Sequence, residues 1–249
     1  MRTANPALST KTFGGFVGTR SGQGAMTIQG TVNKTAVLLA LALISALVPW
    51  RSVFSGDEPG SVAPYLIGGA VGGLLLALVT VFKKSWAKVT APLYALAEGL
   101  ALGAISALFE LRYPGIVFQA VALTFGTLLA LLLAYKSGAI KATENFKLGV
   151  VAATGSIALV YLATFVLRFF GISLGFIHGS GTFGILFSVG VVVVAALNLV
   201  LDFDFIEQGA ERGAPKYMEW YAAFGLMVTL VWLYLEILRL LAKLQSRRR

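Results

Sequence analysis

The chain has 249 residues, of which 57% are hydrophobic and only 12% are charged, and its mean hydropathy is +0.83. A soluble domain carries about 25% charged residues, so this composition excludes an ordinary soluble protein and predicts an all-α, polytopic membrane protein. The absence of cysteine excludes disulfides and thiolate metal sites, and the net charge of +9 does not indicate nucleic-acid binding, because the basic residues are scattered through loops and ends.

Residues 1–30 are rich in Gly, Ser and Thr and contain no acid. Such a segment cannot bury a core, so we predict a mobile basic tail. A cleaved signal peptide is not expected, because the first apolar run starts only near Val32 and no small-residue cleavage site follows it. Residues 31–244 are predicted to form the transmembrane domain, and residues 245–249 a short basic C-terminal tail.

Seven apolar runs follow, each near the roughly 20 residues that a membrane helix needs. Backbone groups cannot stay unpaired in lipid, and continuous apolar runs exclude barrel strands, which alternate. The sequence therefore predicts a bundle of seven transmembrane helices. The runs are Val32–Trp50, Pro64–Phe82, Ala91–Phe109, Ile116–Tyr135, Lys147–Phe170, Thr182–Phe205 and Tyr217–Lys243.

The distribution of Lys and Arg predicts the orientation. With a cytoplasmic N-terminus, the inner segments hold far more basic residues than the outer loops, as the positive-inside rule requires. Seven spans then place the basic C-terminal end "KLQSRRR" outside, which disagrees with that rule. Charges near the C-terminus usually influence topology less than those of the earlier loops, so we keep seven spans. We expect a multi-pass protein of the cell membrane with a cytoplasmic N-terminus.

Acids inside apolar runs are informative, because an ionised side chain at bilayer depth costs about 2.5–3.5 kcal/mol on insertion scales. Glu98 lies well inside the third run, in "YALAEGLALGAISALF". It is either a pore or proton-relay carboxylate or a buried acid bonded to a neighbouring helix, and the residues alone do not decide between the two.

The sixth run ends in "NLVLDFDFIEQG". Asp202 and Asp204 are two residues apart, so on a helix they point about 200° away from each other. Asp202 shares a face with Asn198, and Glu207 lies near Asp204. We expect one aspartate to face the bundle interior and the other the headgroup boundary, and Glu207 to lie at the surface.

Glu236 lies in the seventh run, in "TLVWLYLEILRLLAKL". Arg239 follows three residues later and could neutralise it within the helix. The other interpretation makes Glu236 a cross-helix partner for one of the two aspartates. Two carboxyls held close in low dielectric share a proton and titrate as a unit, which suits a pH sensor, a cation site or a proton relay.

These residues carry a resemblance to the bacterial branch of the Bax inhibitor-1 (TMBIM) family. The third span has "AEGLALG", the sixth ends in the aromatic–Asp pair Phe203–Asp204, and the seventh carries "LYLEILRLL". The resemblance implies a bundle with a central last helix and a pH-sensitive latch between acids of helices six and seven. Carried over by position, the latch acids are Asp204 and Glu236, with Glu98 as the third-span acid.

Two departures from the family pattern bear on the latch. The second acid is Glu rather than Asp, and the position three residues later, usually an amide, is Arg239. The separation of the two acids along the chain also looks longer than in the family. The predicted site is therefore Asp204, Glu236, Asp202 and Glu98, supported by Asn198, Glu207 and Arg239, with Asp204 and Glu236 as possible calcium ligands.

The resemblance implies a pH-dependent calcium leak channel, with calcium or protons as the transported ions and no resident cofactor. The alternatives are a non-transporting regulator that binds a membrane protease or another membrane complex, and a proton-coupled transporter. An enzyme is not expected, because no nucleophile–base pair occurs and the single histidine, His178, lies in a glycine-rich loop.

Overall fold

The computed structural model describes residues 24–55, 62–171, 179 and 181–248. His178 and the first 23 residues of the predicted tail lie outside these residues. Seven long helices are present, with a 3₁₀ turn at Lys84–Trp86 between the second and third, and the described part of the chain has no named strand. The helices are α1 Ile28–Phe54, α2 Ala63–Phe82, α3 Ala87–Arg112, α4 Ile116–Lys136, α5 Glu144–Phe169, α6 Thr182–Glu211 and α7 Met218–Arg248.

All seven helices are long and apolar enough to cross a membrane. The predicted all-α, seven-helix membrane fold is therefore confirmed. The last helix, α7, is the most buried of the seven, with 61% of its membrane-spanning window buried against at most 44% in the others. This is the burial expected of a central last helix.

Several helices extend beyond the predicted spans, among them α1 at its start, α6 at its end and α7 at its end. Helix α1 begins at Ile28 rather than Val32, because Thr27 caps it: its side-chain oxygen accepts a hydrogen bond from Gly30 N at 2.9 Å. Helix α7 runs to Arg248, through the residues predicted as a tail. Leu, Lys, Gln and Arg are good helix formers, so the helix continues where the apolar pattern fades.

The chain divides into two compact units. The N-terminal unit contains the described residues up to 117 together with 205–228, and thus α1, α2, α3 and the loop between α6 and α7. The C-terminal unit contains residues 118–204 and 229–248, and thus nearly all of α4, α5, most of α6 and the second half of α7.

Glycines allow close helix packing in the N-terminal unit. A Cβ on Gly99 of α3 would lie 2.3 Å from the carbonyl oxygen of Ala42 on α1, and one on Gly103 would lie 2.3 Å from that of Ala46. On α2, a Cβ on Gly69 would lie 2.6 Å from a backbone oxygen of α3. Small residues let the backbones approach in this way, as is usual for helices in lipid.

Candidate functional site

A stripe of polar side chains runs along α5 in the C-terminal unit. Lys147, Thr154 and Tyr161 follow one another at intervals of seven residues, close to two helical turns, so they lie on one face of the helix. The first and the last lie about 21 Å apart along the axis. We call these three residues the α5 polar stripe, and each contacts a polar residue of α6 or α7.

Lys147, at the first position of the stripe, pairs with Asp204 of α6. Its Nζ lies 2.8 Å from Asp204 Oδ2, and the side chains are only 3% and 16% exposed. The exposed Glu144 also approaches the ammonium group, at 3.5 Å. Because a buried charge is costly unless it is paired, this ion pair holds the start of α5 and the end of α6 together.

Thr154, at the second position, meets the predicted supporting residue Asn198. The buried Asn198 donates from Nδ2 to Thr154 Oγ1 at 2.9 Å and to the carbonyl oxygen of Val194 in its own helix at 2.8 Å. Lys147 contacts Asp204, and Thr154, further along α5, contacts Asn198, which comes earlier in α6. Helices α5 and α6 are therefore antiparallel neighbours.

Tyr161, at the third position, meets Glu236 and Arg239 of α7. The Tyr161 hydroxyl donates to Glu236 Oε1 at 3.0 Å, and Arg239 Nη1 contacts the same oxygen at 2.7 Å and the Tyr161 oxygen at 2.9 Å. Glu236 is 2% exposed, and its Oε2 has no hydrogen-bond partner among the described residues. The interpretation in which Arg239 neutralises Glu236 within the helix matches this geometry.

Lys243 follows one turn beyond Arg239 on α7. This buried side chain donates to the carbonyl oxygen of Gly184 at 3.0 Å and to Ser188 Oγ at 2.9 Å, both near the start of α6. The contacts place the end of α7 beside the start of α6, so these two helices are also antiparallel.

Asp202 is the most deeply buried of the predicted acids, with no exposed surface. Its polar neighbour on α7 is Thr229, but within the described part of the chain neither carboxylate oxygen has a hydrogen-bond partner of ordinary geometry. Burying a carboxyl group without hydrogen bonds costs free energy, so Asp202 opposes the stability of the fold at this position.

The structure does not bring Asp204 and Glu236 together. Thr229, which is level with Asp202, lies seven residues before Glu236 on α7, or about 10 Å along the axis. Likewise, the α5 partners Lys147 and Tyr161 lie about 21 Å apart. The two predicted latch acids each have a cation of their own at different depths, and their pairing with each other stays a prediction.

Glu98 and Glu207 lie in the N-terminal unit. Glu98 is partly buried on α3, with Oε2 2.9 Å from the place that a Cβ on Gly73 of α2 would occupy. Glu207 is exposed near the end of α6. Among the residues that the structure describes, no three His, Cys, Asp or Glu side chains are grouped in a way that could hold a metal ion.

The stripe residues were missed when the sequence was examined for acids alone. Lys147 begins the fifth predicted span, and Thr154 and Tyr161 lie within that span. Their seven-residue spacing was the available signal, because an isolated polar face on an otherwise apolar helix must pack against polar partners.

The comparisons with known proteins support one family. The search of the curated proteins found no match, and the search of the solved structures found none either. A family model described as Bax inhibitor 1 like matches residues 5–246, nearly the whole chain. With seven apolar helices and acids within the sixth and seventh, the chain belongs to the Bax inhibitor 1 like family.

Proposed function

We propose that this membrane protein is a pH-sensitive cation leak pathway, with calcium as a permeant ion, and that ions cross along the α5 polar stripe. The observation that carries the proposal is the stripe itself. Hydrogen-bonding groups extend for about 21 Å through helices that otherwise present hydrocarbon. Polar and ionisable groups inside membrane spans mark ion and proton pathways.

Calcium is a hard cation that takes oxygen ligands, and oxygens line the inner half of the stripe. They are the carboxylate oxygens of Asp204 and the side-chain oxygens of Asn198 and Thr154. The ammonium group of Lys147 occupies the place beside Asp204 that a permeant cation would take. Lys147 thus acts as a tethered cation that closes the path.

The Lys147–Asp204 pair gives the pathway its pH dependence. An ion pair needs a charge on both partners, so the loss of either charge removes the attraction between α5 and α6 at this point. In this proposal, loss of the pair releases Lys147 and opens the path. The gate in this proposal is the Lys147–Asp204 pair between α5 and α6. It does not require the predicted pairing of Asp204 with Glu236.

Calcium efflux from liposomes that contain the purified protein, followed over a series of pH values, tests the proposal. Thr154→Val removes the middle of the stripe, and we expect about tenfold lower flux, the effect of ~1.4 kcal/mol on a barrier. Thr164→Val is the matched control on the same helix, because among the described residues its hydroxyl donates only to the carbonyl oxygen of Val160. Equal flux in the two variants, or no flux in the wild type, would refute the pathway.

The same experiment separates the alternatives. A proton-coupled transporter needs a proton gradient for its flux, whereas a leak channel does not. A non-transporting regulator of a membrane protease shows no flux with or without a gradient, and its partner would be recovered by pull-down. The family assignment supports a membrane protein of Bax inhibitor 1 type; the ion, the cell membrane and the cytoplasmic N-terminus are parts of the proposal.

A further inference from the structure

The segment before α1 pairs with the loop between α6 and α7. Met26 N donates to the carbonyl oxygen of Ala214 at 2.6 Å, and Lys216 N donates to that of Gly24 at 2.9 Å. These two bonds flank an antiparallel bridge between Ala25 and Pro215. We call residues Gly24–Thr27 the strap, since they bind a loop that lies nearly 190 positions later in the chain.

Glu219, in the first turn of α7, anchors the strap. Its side chain has no exposed surface. Oε1 accepts hydrogen bonds from Thr27 N and Thr27 Oγ1, both at 2.9 Å, and lies 3.1 Å from Lys216 Nζ, while Oε2 pairs with Lys34 Nζ. Four donors on two oxygens is the coordination of an ionised carboxylate, so this acid is fully occupied by the strap and its surroundings.

Thr27 and Gly30 make the anchor specific. The Thr27 hydroxyl donates to Glu219 and accepts from Gly30 N, so a single side chain caps α1 and ties it to the start of α7. A Cβ on Gly30 would lie 2.2 Å from Glu219 Oε1. Any larger residue at this position must displace the buried carboxylate from its hydrogen-bond donors.

We propose that the strap is a conformational control element, which restrains the α6–α7 loop when docked and frees it when released. That loop joins the helix carrying Asp204 to the helix carrying Glu236, so a change in its freedom acts on both. The effect on ion flux rests on the proposed function, whereas the restraint itself does not. Of the two lysines that contact Glu219, Lys216 is the more exposed, at 52% against 19% for Lys34.

The chain has no cysteine, so a disulfide can report docking without interference. Ala25→Cys with Pro215→Cys places two thiols opposite each other in a non-hydrogen-bonded antiparallel pair, where Cα atoms lie about 4.5 Å apart, within disulfide range. We expect ready cross-linking on mild oxidation of the purified protein. Adding Gly30→Ala should lower the cross-linking rate about tenfold, the effect of ~1.4 kcal/mol on the docking equilibrium.

Amide hydrogen exchange of residues 212–217, without the cysteines, gives a second measurement. We expect about tenfold faster exchange in Gly30→Ala, which corresponds to ~1.4 kcal/mol in the opening equilibrium. Gly24→Ala is the matched control, since nothing lies within 4 Å of a Cβ at that position. Thr27→Val, which removes one hydroxyl and adds no bulk in the anchor, serves if Gly30→Ala fails to fold.

The outcomes are distinct. Cross-linking and exchange that are the same in Gly30→Ala, Thr27→Val and the Gly24→Ala control would overturn the strap. If calcium flux is present, it should fall several-fold in the oxidised double-cysteine protein and recover on reduction. If the flux is the same in the oxidised and the reduced protein, the strap does not control conduction. A wild type without flux refutes the proposed function alone, and cross-linking and exchange still decide whether the strap restrains the loop.

Discussion

Replacing Lys147 by methionine tests the Lys147–Asp204 ion pair most directly. Methionine keeps the apolar stem but removes the ammonium group that lies 2.8 Å from Asp204 Oδ2. Breaking a buried pair from one side costs about 3–5 kcal/mol. Asp204 retains 16% exposure, so we take the lower end, about 3 kcal/mol. With about 2–4 °C per kcal/mol for a chain of this size, the thermal midpoint should fall by roughly 6–12 °C.

Thermal unfolding of the purified protein in detergent micelles measures the loss, and a double-mutant cycle assigns it to the pair. Asp204→Asn alone strands the ammonium group, which keeps only Glu144 at 3.5 Å. The double variant Lys147→Met/Asp204→Asn buries neither charge, so it should cost less than the sum of the singles by about 2 kcal/mol. The exposed Lys141→Met is the control, with a change within about 0.5 kcal/mol.

Two results would refute this reasoning. If Lys147→Met has the same thermal midpoint as the Lys141→Met control, the pair contributes nothing to stability. If the singles add up in the double variant, the two side chains act independently. In flux measurements, Lys147→Met should also leak calcium at neutral pH and lose most of its response to acid, because the tethered cation is absent.

Three further predictions concern packing and the buried acids. Gly99→Ala should cost about 2–3 kcal/mol in thermal unfolding, because its Cβ meets the backbone of α1. Gly126→Ala is the control and should be neutral, because nothing lies within 4 Å of a Cβ there. Equal thermal midpoints for the two variants would contradict the close packing. Arg239→Gln strands the buried Glu236 and should lower stability by about 3 kcal/mol, whereas a silent variant would show that the pair is irrelevant. Asp202→Asn replaces a buried carboxyl whose oxygens have no hydrogen-bond partner of ordinary geometry among the described residues, so stability should be unchanged or higher. A large loss of stability would show that the carboxyl is stabilised by its neighbour Thr229.

Hydropathy was sufficient for the seven helices because lipid forces every long apolar run to satisfy its backbone internally. It was insufficient for the helix ends. Helix α1 begins at Ile28 because of a cap that depends on one threonine hydroxyl, and α7 continues to Arg248 through side chains that favour helix but not hydrocarbon. The apolar pattern shows which residues face lipid, whereas the ends of a helix depend on the capping residues beside it.

The acids could be found from the sequence, but their partners could not. Helical periodicity shows which residues share a face of one helix, and says nothing about the axial offset between two helices. That offset places Thr229 beside Asp202 and puts Glu236 about 10 Å further along. Helical periodicity does not distinguish Glu219 either, since the backbone pairing around it joins residues far apart in the chain.

The seven-residue interval of the α5 polar stripe limits how the length of this helix can change. Inserting one residue between Lys147 and Thr154 would turn the rest of α5 by about 100° and shift it by about 1.5 Å. Lys147 would keep its partner while Thr154 and Tyr161 turned toward different neighbours. An insertion of seven residues would restore the face but move it by about 10 Å, away from Asn198 and Glu236. Helix α5 is therefore a spacer of defined length, and changes in chain length are expected in the loops on either side of it.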